Sequence, residues 1–288
     1  MDTLQEILSP HFLLRNSLYA SLLVGLVCPV VGVFLVLRRL VFVGVALPQI
    51  SSTGVALVLL LPFWLGAGAG GGHTEHSEHL LALMGSVSFT LAAVLILAWL
   101  ERRAQGVPEG RLGAVYVVAS ALSILLLSRN RYAEVGWLDL LKGEIITVDT
   151  ADLLITAITL ALVLVLMAVF YKELLMVSFD RVLAATLGRS VVAWDLLLYG
   201  LVGLTVSVCV LSVGPLVAFG FLLVPALIAH LFARSMRQFM VASAAIGGVL
   251  AFAGFALAYH WDWPVGPTEV ALLGAVYAGA WLVRRIKG

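Results

Sequence analysis

The chain of 288 residues is 62% hydrophobic and 11% charged, with a mean hydropathy of +1.11 and a net charge of +1. A composition this apolar excludes an ordinary soluble protein: at roughly 20 residues per spanning helix it has room for about eight to ten spans and for no soluble domain of useful size. The near-zero charge provides no basic field for nucleic acid, so the partner implied by composition is membrane lipid.

In chain order, MDTLQEILSPHFLLRNSLYA lacks the basic region and small-residue cleavage site of a secretory leader. It predicts a short interfacial helix leading into the first span. Apolar runs then predict spans at 17–37, 40–65, 80–100, 112–127, 151–171, 194–213, 215–232, 240–259 and 269–283, an all-α polytopic bundle of about nine helices. The 138–148 stretch reads as a short re-entrant helix, tolerated at membrane depth only where protein buries it. Basic residues fall on alternating connections: Arg38 and Arg39, Arg102 and Arg103, Lys172 with Arg181 and Arg189, Arg234 with Arg237, then Arg284, Arg285 and Lys287. The positive-inside rule makes these sides cytoplasmic and puts the N-terminus outside, with Arg15, Arg129, Arg131 and Lys142 running against the pattern.

Small residues such as Gly25, Gly32, Gly200, Gly203, Gly247, Gly248 and Gly254 predict close helix approach. Pro29, Pro48, Pro215 and Pro225 each free a backbone carbonyl inside an apolar run, which bends a helix or lines a cavity. Cys28 and Cys209 lie in different spans, far apart in sequence, and read as small core residues with neither a disulfide framework nor a metal-ligand spacing. Ionisable side chains are nearly missing from the spans, with Asp195 at a span edge the chief candidate. That scarcity counts against an ion-coupled secondary transporter, the leading rival from another class.

Catalytic machinery is also missing from the pattern. The Gly-rich run at 66–72 lacks the Lys and Ser or Thr of a phosphate loop, and no protease-like pairing of nucleophile and base or zinc-binding HExxH occurs. The chain is therefore read as a non-enzyme.

Two polar stretches carry the functional signal. YKELLMVSFDRVLAATLGR, at 171–189, has a basic membrane exit at Lys172, Asp180 as a helix cap and Gly188 as a stop. About two turns between them carry Val182, Leu183, Thr186 and Leu187 on one side, and an apolar stripe outside the bilayer needs a partner surface. The second is GGHTEHSEHL, where His73, His76 and His79 recur every third residue with Glu75 and Glu78 between them. On a helical turn the imidazoles share a face, and nitrogen and carboxylate ligands suit zinc, as at the mouth of a pathway.

Five blocks then resemble, in order and spacing, the permease subunits of zinc, manganese and iron ABC importers. They are GLVCPVVGVFLVLRRLVFVGVALPQISSTGVAL, WLDLLKGEIITVDTADLL, KELLMVSFDRVLAATLG, VGPLVAFGFLLVPALIAHL and DWPVGPTEVALLGAVY. The resemblance implies one permease domain over 1–288 in a bacterial inner membrane, with a cytoplasmic coupling segment at 171–193. A second permease, the same chain or a paralogue, completes the core. ATP is held by separate ATPase subunits, a soluble metal-binding protein docks outside, and the chain itself carries no cofactor. Ser178, Phe179, Asp180, Arg181, Leu183, Ala184, Leu187 and Gly188 become the contact to the ATPase.

Two departures stand out. Arg181 occupies a position where the family commonly has Pro. Where family members carry Asp and, four residues on, His in a Gly-Asp-Ala-Leu-Ser-His motif, this chain reads Gly44-Val45-Ala46-Leu47-Pro48-Gln49. Val45 cannot coordinate a cation, and Gln49 offers one neutral carbonyl oxygen. Three readings stay open: the ion passes on other ligands, the substrate is a chelate or another small solute, or a paired permease carries the ligands.

Overall fold

The computed structural model describes residues 12, 14–64, 75–103, 109–128 and 148–287. Ten helices form among them: α1 (Arg15–Leu37), α2 (Val41–Trp64), α3 (Glu75–Arg103), α4 (Glu109–Ser128), α5 (Thr150–Val169), α6 (Tyr171–Phe179), α7 (Arg181–Thr186), α8 (Val191–Phe232), α9 (Met236–Trp261) and α10 (Val265–Lys287). The expected interfacial helix near the N-terminus and the 66–72 loop lie outside the described residues. So does the expected 138–148 helix apart from Val148, whose carbonyl accepts a hydrogen bond from Asn16 Nδ2 at 3.3 Å.

The two spans expected at 194–213 and 215–232 are one 42-residue helical segment, α8, whose single non-helical residue is Gly214 at φ 82° and ψ 164°. Both of its ends nevertheless meet the same end of α1. Arg38 bonds Asp195 near the start of α8, while Val33, one and a half turns earlier on α1, clusters with Ala226 and Ala229 near its finish. A straight helix would hold Asp195 and Ala226 about 46 Å apart at 1.5 Å per residue. The chain therefore doubles back at Gly214, where a positive φ is open to glycine at no steric cost and Pro215 breaks the hydrogen-bond ladder. The two expected passes exist as two arms of one hairpin.

Six helices are long and apolar enough to cross a membrane, and α3 and α4 contribute shorter apolar stretches at Leu81–Leu97 and Gly110–Leu126. Counting the arms of α8 separately gives nine passes among the described residues. Their sides follow from contacts. The start of α8, the α1–α2 turn and Ser178 meet at one end of the bundle, and Phe239 near the start of α9 packs beside Val33 close to it. At the other end Phe12 packs edge-on to Phe255 and Tyr259, late in α9. The connections that carry Arg38, Arg181 and Arg237 thus share a side, as the charge pattern predicts.

Backbone proximity holds the helices together. A Cβ at Gly25 would lie 2.8 Å from the carbonyl oxygen of Gly247, and one at Gly32 would overlap the carbonyl of Leu222. Gly54 and Gly85 face each other in the same way across α2 and α3. Such approach gives van der Waals packing where lipid supplies no hydrophobic drive between helices. Buried hydroxyls add links: Ser51 with Ser86 at 2.6 Å, Ser86 to the Ser207 carbonyl at 3.0 Å, and Thr156 with Ser212 at 2.5 Å.

Candidate functional site

The stretch read from sequence as a coupling segment is built in two pieces. α6 buries Leu174 and Val177, so the first half of this polar stretch belongs to the bundle. The chain then breaks at Asp180, which is extended, and its carboxylate accepts hydrogen bonds from the amides of Val182 (3.0 Å) and Leu183 (2.9 Å). These are first-turn donors with no partner inside the helix, which is why a carboxylate stabilises this end. α7 ends as expected at Gly188, with φ 72°, where Arg189 N donates to the Ala184 carbonyl at 3.0 Å. The helix runs six residues, about the two turns read from sequence, with Leu187 as its C-cap and the left-handed glycine following.

Only Ala184 of α7 is buried, whereas Val182, Leu183 and Leu187 are 74%, 50% and 61% exposed, and Phe179 beside them is also open. This is a small apolar surface on a capped helix outside the spanning helices. Arg181 takes the first helical position, where proline is favoured because the amide has no intrahelical partner. An arginine fits there equally well, and its guanidinium reaches Asp195 Oδ2 at 3.7 Å.

Asp195 is the centre of a network. Arg38 Nη1 donates to Asp195 Oδ1 at 2.5 Å and Arg38 Nε to Ser178 Oγ at 2.9 Å, while Ser178 Oγ donates to the Leu174 carbonyl at 2.6 Å. The Arg38 side chain is 3% exposed. Asp195 lies at a span edge as expected, where it is an ion-pair partner of Arg38 and Arg181.

On α2, Phe42, Val45 and Gln49 lie at i, i+3 and i+7 on one face, with Phe42 exposed and the other two half-buried. The two positions where the sequence departs from the resembled motif therefore share one partly exposed face of α2. His73 lies outside the described residues; His76 and His79 open α3 at helical spacing, and their side chains lie outside the description too. Among the described residues no group of three His, Cys, Asp or Glu side chains is close enough to hold a metal ion.

Two buried features escaped the sequence reading. Cys28 and Cys209, read as separate core residues, bring their sulfurs to 3.1 Å, because α1 packs along the first arm of α8. Glu269, taken as the first residue of the last span, sits one turn inside α10 because the helix begins at Val265; it is fully buried and accepts a hydrogen bond from Ser21 Oγ at 2.5 Å. Its second oxygen has no partner, and Gly254 makes room for it, since a Cβ there would lie 2.8 Å from Glu269 Cγ. The expectation that Asp195 is the chief ionisable residue of the spans is corrected in favour of Glu269. The available signal was Pro264 followed by Pro267, residues suited to a first helical turn, ahead of the carboxylate.

The model of the ABC 3 transport family matches residues 11–284. The chain belongs to that family. It is a multi-pass, non-catalytic permease component of an ABC transporter. An uncharacterized membrane protein of Synechocystis sp. is 28% identical over 272 residues, 94% of this chain and 91% of that one. The manganese import system permease protein ScaB of Streptococcus gordonii is 27% identical over 269 residues, 93% of this chain and 89% of its own length. Among solved structures, PsaBC from Streptococcus pneumoniae in complex with Fab matches with a TM-score of 0.79 at 27% identity, over 97% of this chain and 94% of that one. As an ABC 3 permease, the chain has its energy supplied from outside its own sequence, which disfavours the secondary-transporter rival.

Proposed function

We propose that this ABC 3 permease imports a divalent metal ion, zinc or a related cation such as manganese, across a bacterial inner membrane. A separate ATPase binds and hydrolyses ATP, a soluble binding protein delivers the ion outside, and a second permease completes the path. The observation that carries the reading is the exposed Val182–Leu183–Leu187 surface on a capped helix outside the spans, which suits insertion into a cleft on a partner. The manganese named for the Streptococcus gordonii relative supports a first-row divalent cargo. On this reading α7, with Ser178, Phe179 and Arg181 at its root, is the surface the ATPase grips, and alternating access is rocking of the spans around the α2 face. His73, His76 and His79 collect metal at the outer mouth.

Val45 and Gln49 favour a second reading of the cargo, in which the ion travels as a chelate or on ligands of a paired, different permease. One experiment separates the two. The permease, its ATPase and its binding protein are reconstituted in liposomes, and the lumen is analysed for zinc, manganese, iron and organic chelator after ATP addition. Metal accumulating alone supports the first reading, metal and chelator in fixed ratio the second, and ATP-independent accumulation driven by an ion gradient sinks both.

A further inference from the structure

Resting on α7 as the surface the ATPase grips, we propose that Arg38 is the positioning residue that carries displacement of the coupling segment to the pathway helix α2, through Asp195. Arg38 closes α1 at a three-residue connection between spans: Arg39 is left-handed at φ 58°, Leu40 N donates back to the Leu35 carbonyl at 2.8 Å, and α2 begins at Val41. With three residues between the helices, the inner ends of α1 and α2 cannot move independently. Val45, the first of the two replaced ligand positions, follows on the second turn of α2.

The guanidinium of Arg38 reaches away from this turn into the coupling segment. It binds Ser178 at the end of α6 and Asp195 at the start of α8, while the other oxygen of Asp195 takes Arg181 at the start of α7. Four elements, α1, α6, α7 and α8, therefore meet at one carboxylate and one hydroxyl. The neighbouring Arg39 is exposed and serves as an ordinary basic anchor on the inner side. Arg38 is enclosed, and its charge is spent on the network instead of on lipid headgroups.

Two physical features make this a transmission element. A buried ion pair is far costlier to separate than to carry as a unit, so Arg38 and Asp195 move together, whereas the longer, solvent-facing Arg181 contact is weak and adjustable. Arg38 Nη2 is buried without a partner, so the guanidinium has an unused donor that a second arrangement of the same helices can satisfy. A link with a bond left to gain has two states that a force on α7 can bias.

The test uses the full complex of permease, ATPase and binding protein in liposomes with zinc chloride or manganese chloride as the probe, reading metal moved per ATP hydrolysed. Asp195→Asn, nearly isosteric, and Arg38→Gln are expected to co-purify with the ATPase and to hydrolyse ATP. Metal moved per ATP falls on the order of tenfold, with part of the loss restored in Arg38→Lys and a smaller loss in Arg181→Ala. A second readout is independent of cargo: a nitroxide on Phe42→Cys, in a background where Cys28 and Cys209 are replaced by Ser, changes mobility on ATP binding in the intact network and not with Arg38→Gln. An unchanged ratio overturns the proposal, as does a spectral change that survives Arg38→Gln, or loss of ATPase binding and transport together with their ratio kept. Failure of the underlying reading looks different: ATPase association then survives Leu183→Asp in the otherwise intact chain.

Discussion

Helix α7 and the α2 face that carries Val45 and Gln49 both reach the surface of the single chain, and they differ in what opens them. α7 exposes apolar side chains where water would normally select polar ones, and the surrounding sequence invests a cap, a left-handed stop and an ion-pair network in holding it. The α2 face carries an exposed Phe42 and half-buried Val45 and Gln49 inside a span, where apolar residues are unremarked and charged ligands would have been the signal. On the proposed reading the first surface takes a protein partner, and the second is a path without ligands of its own.

The sharpest way to break this contrast is to charge the α7 surface. Leu183→Asp combined with Leu187→Asp places two carboxylates in an apolar contact and is expected to weaken ATPase association by about 100-fold or more, measured by co-purification from membranes where the permease level is unchanged. Unchanged association would return α7 to an ordinary solvated helix. Next in size is a control on the scaffold that holds both faces. Gly32→Val, whose Cβ overlaps the Leu222 carbonyl, should lower stability in detergent by about 1–3 kcal/mol or more, while Gly200→Ala, with nothing within 4 Å of the added Cβ, should leave the unfolding temperature nearly unchanged.

The α2 side of the comparison is sharpened by restoring what it lacks. Val45→Asp with Gln49→His puts a carboxylate and an imidazole four residues apart on one helix face, and zinc binding by the purified complex in isothermal titration should tighten by roughly tenfold. No change would mean that this face does not line the ion path. The smallest effect is expected at the outer mouth: replacing His73, His76 and His79 together by Ala should weaken zinc binding a few-fold in the same titration, and an identical isotherm would leave the loop a linker.

Much of the fold was legible because its causes are local. The apolar runs place the spans to within a few residues, the alternating basic residues order their sides, and Asp180 and Gly188 bound α7 because capping and a left-handed stop act over three or four residues. The departure at Val45 and Gln49 is equally local, since helix periodicity alone puts the two on one face. What was missed is non-local or sits at a boundary. Glu269 was assigned to a span edge because a hydropathy window ends at a charge, yet the helix starts a turn earlier and carries the carboxylate inside.

By itself, then, the sequence determined that this chain is a helical membrane permease with a capped segment outside the spans and with Val45 and Gln49 where the resembled motif has Asp and His. Only the tertiary structure decided that α8 folds back on itself at Gly214 and that Cys28 meets Cys209 across 181 residues. It alone showed Arg38 tied to Asp195 across 157 residues and Ser21 to Glu269 across 248. Hydropathy, periodicity and caps are written within a few residues of where they act. Which helix lies beside which is set by the close approach of small residues such as Gly25 to Gly247 and Gly32 to Leu222, and that choice decides which distant polar groups share a site.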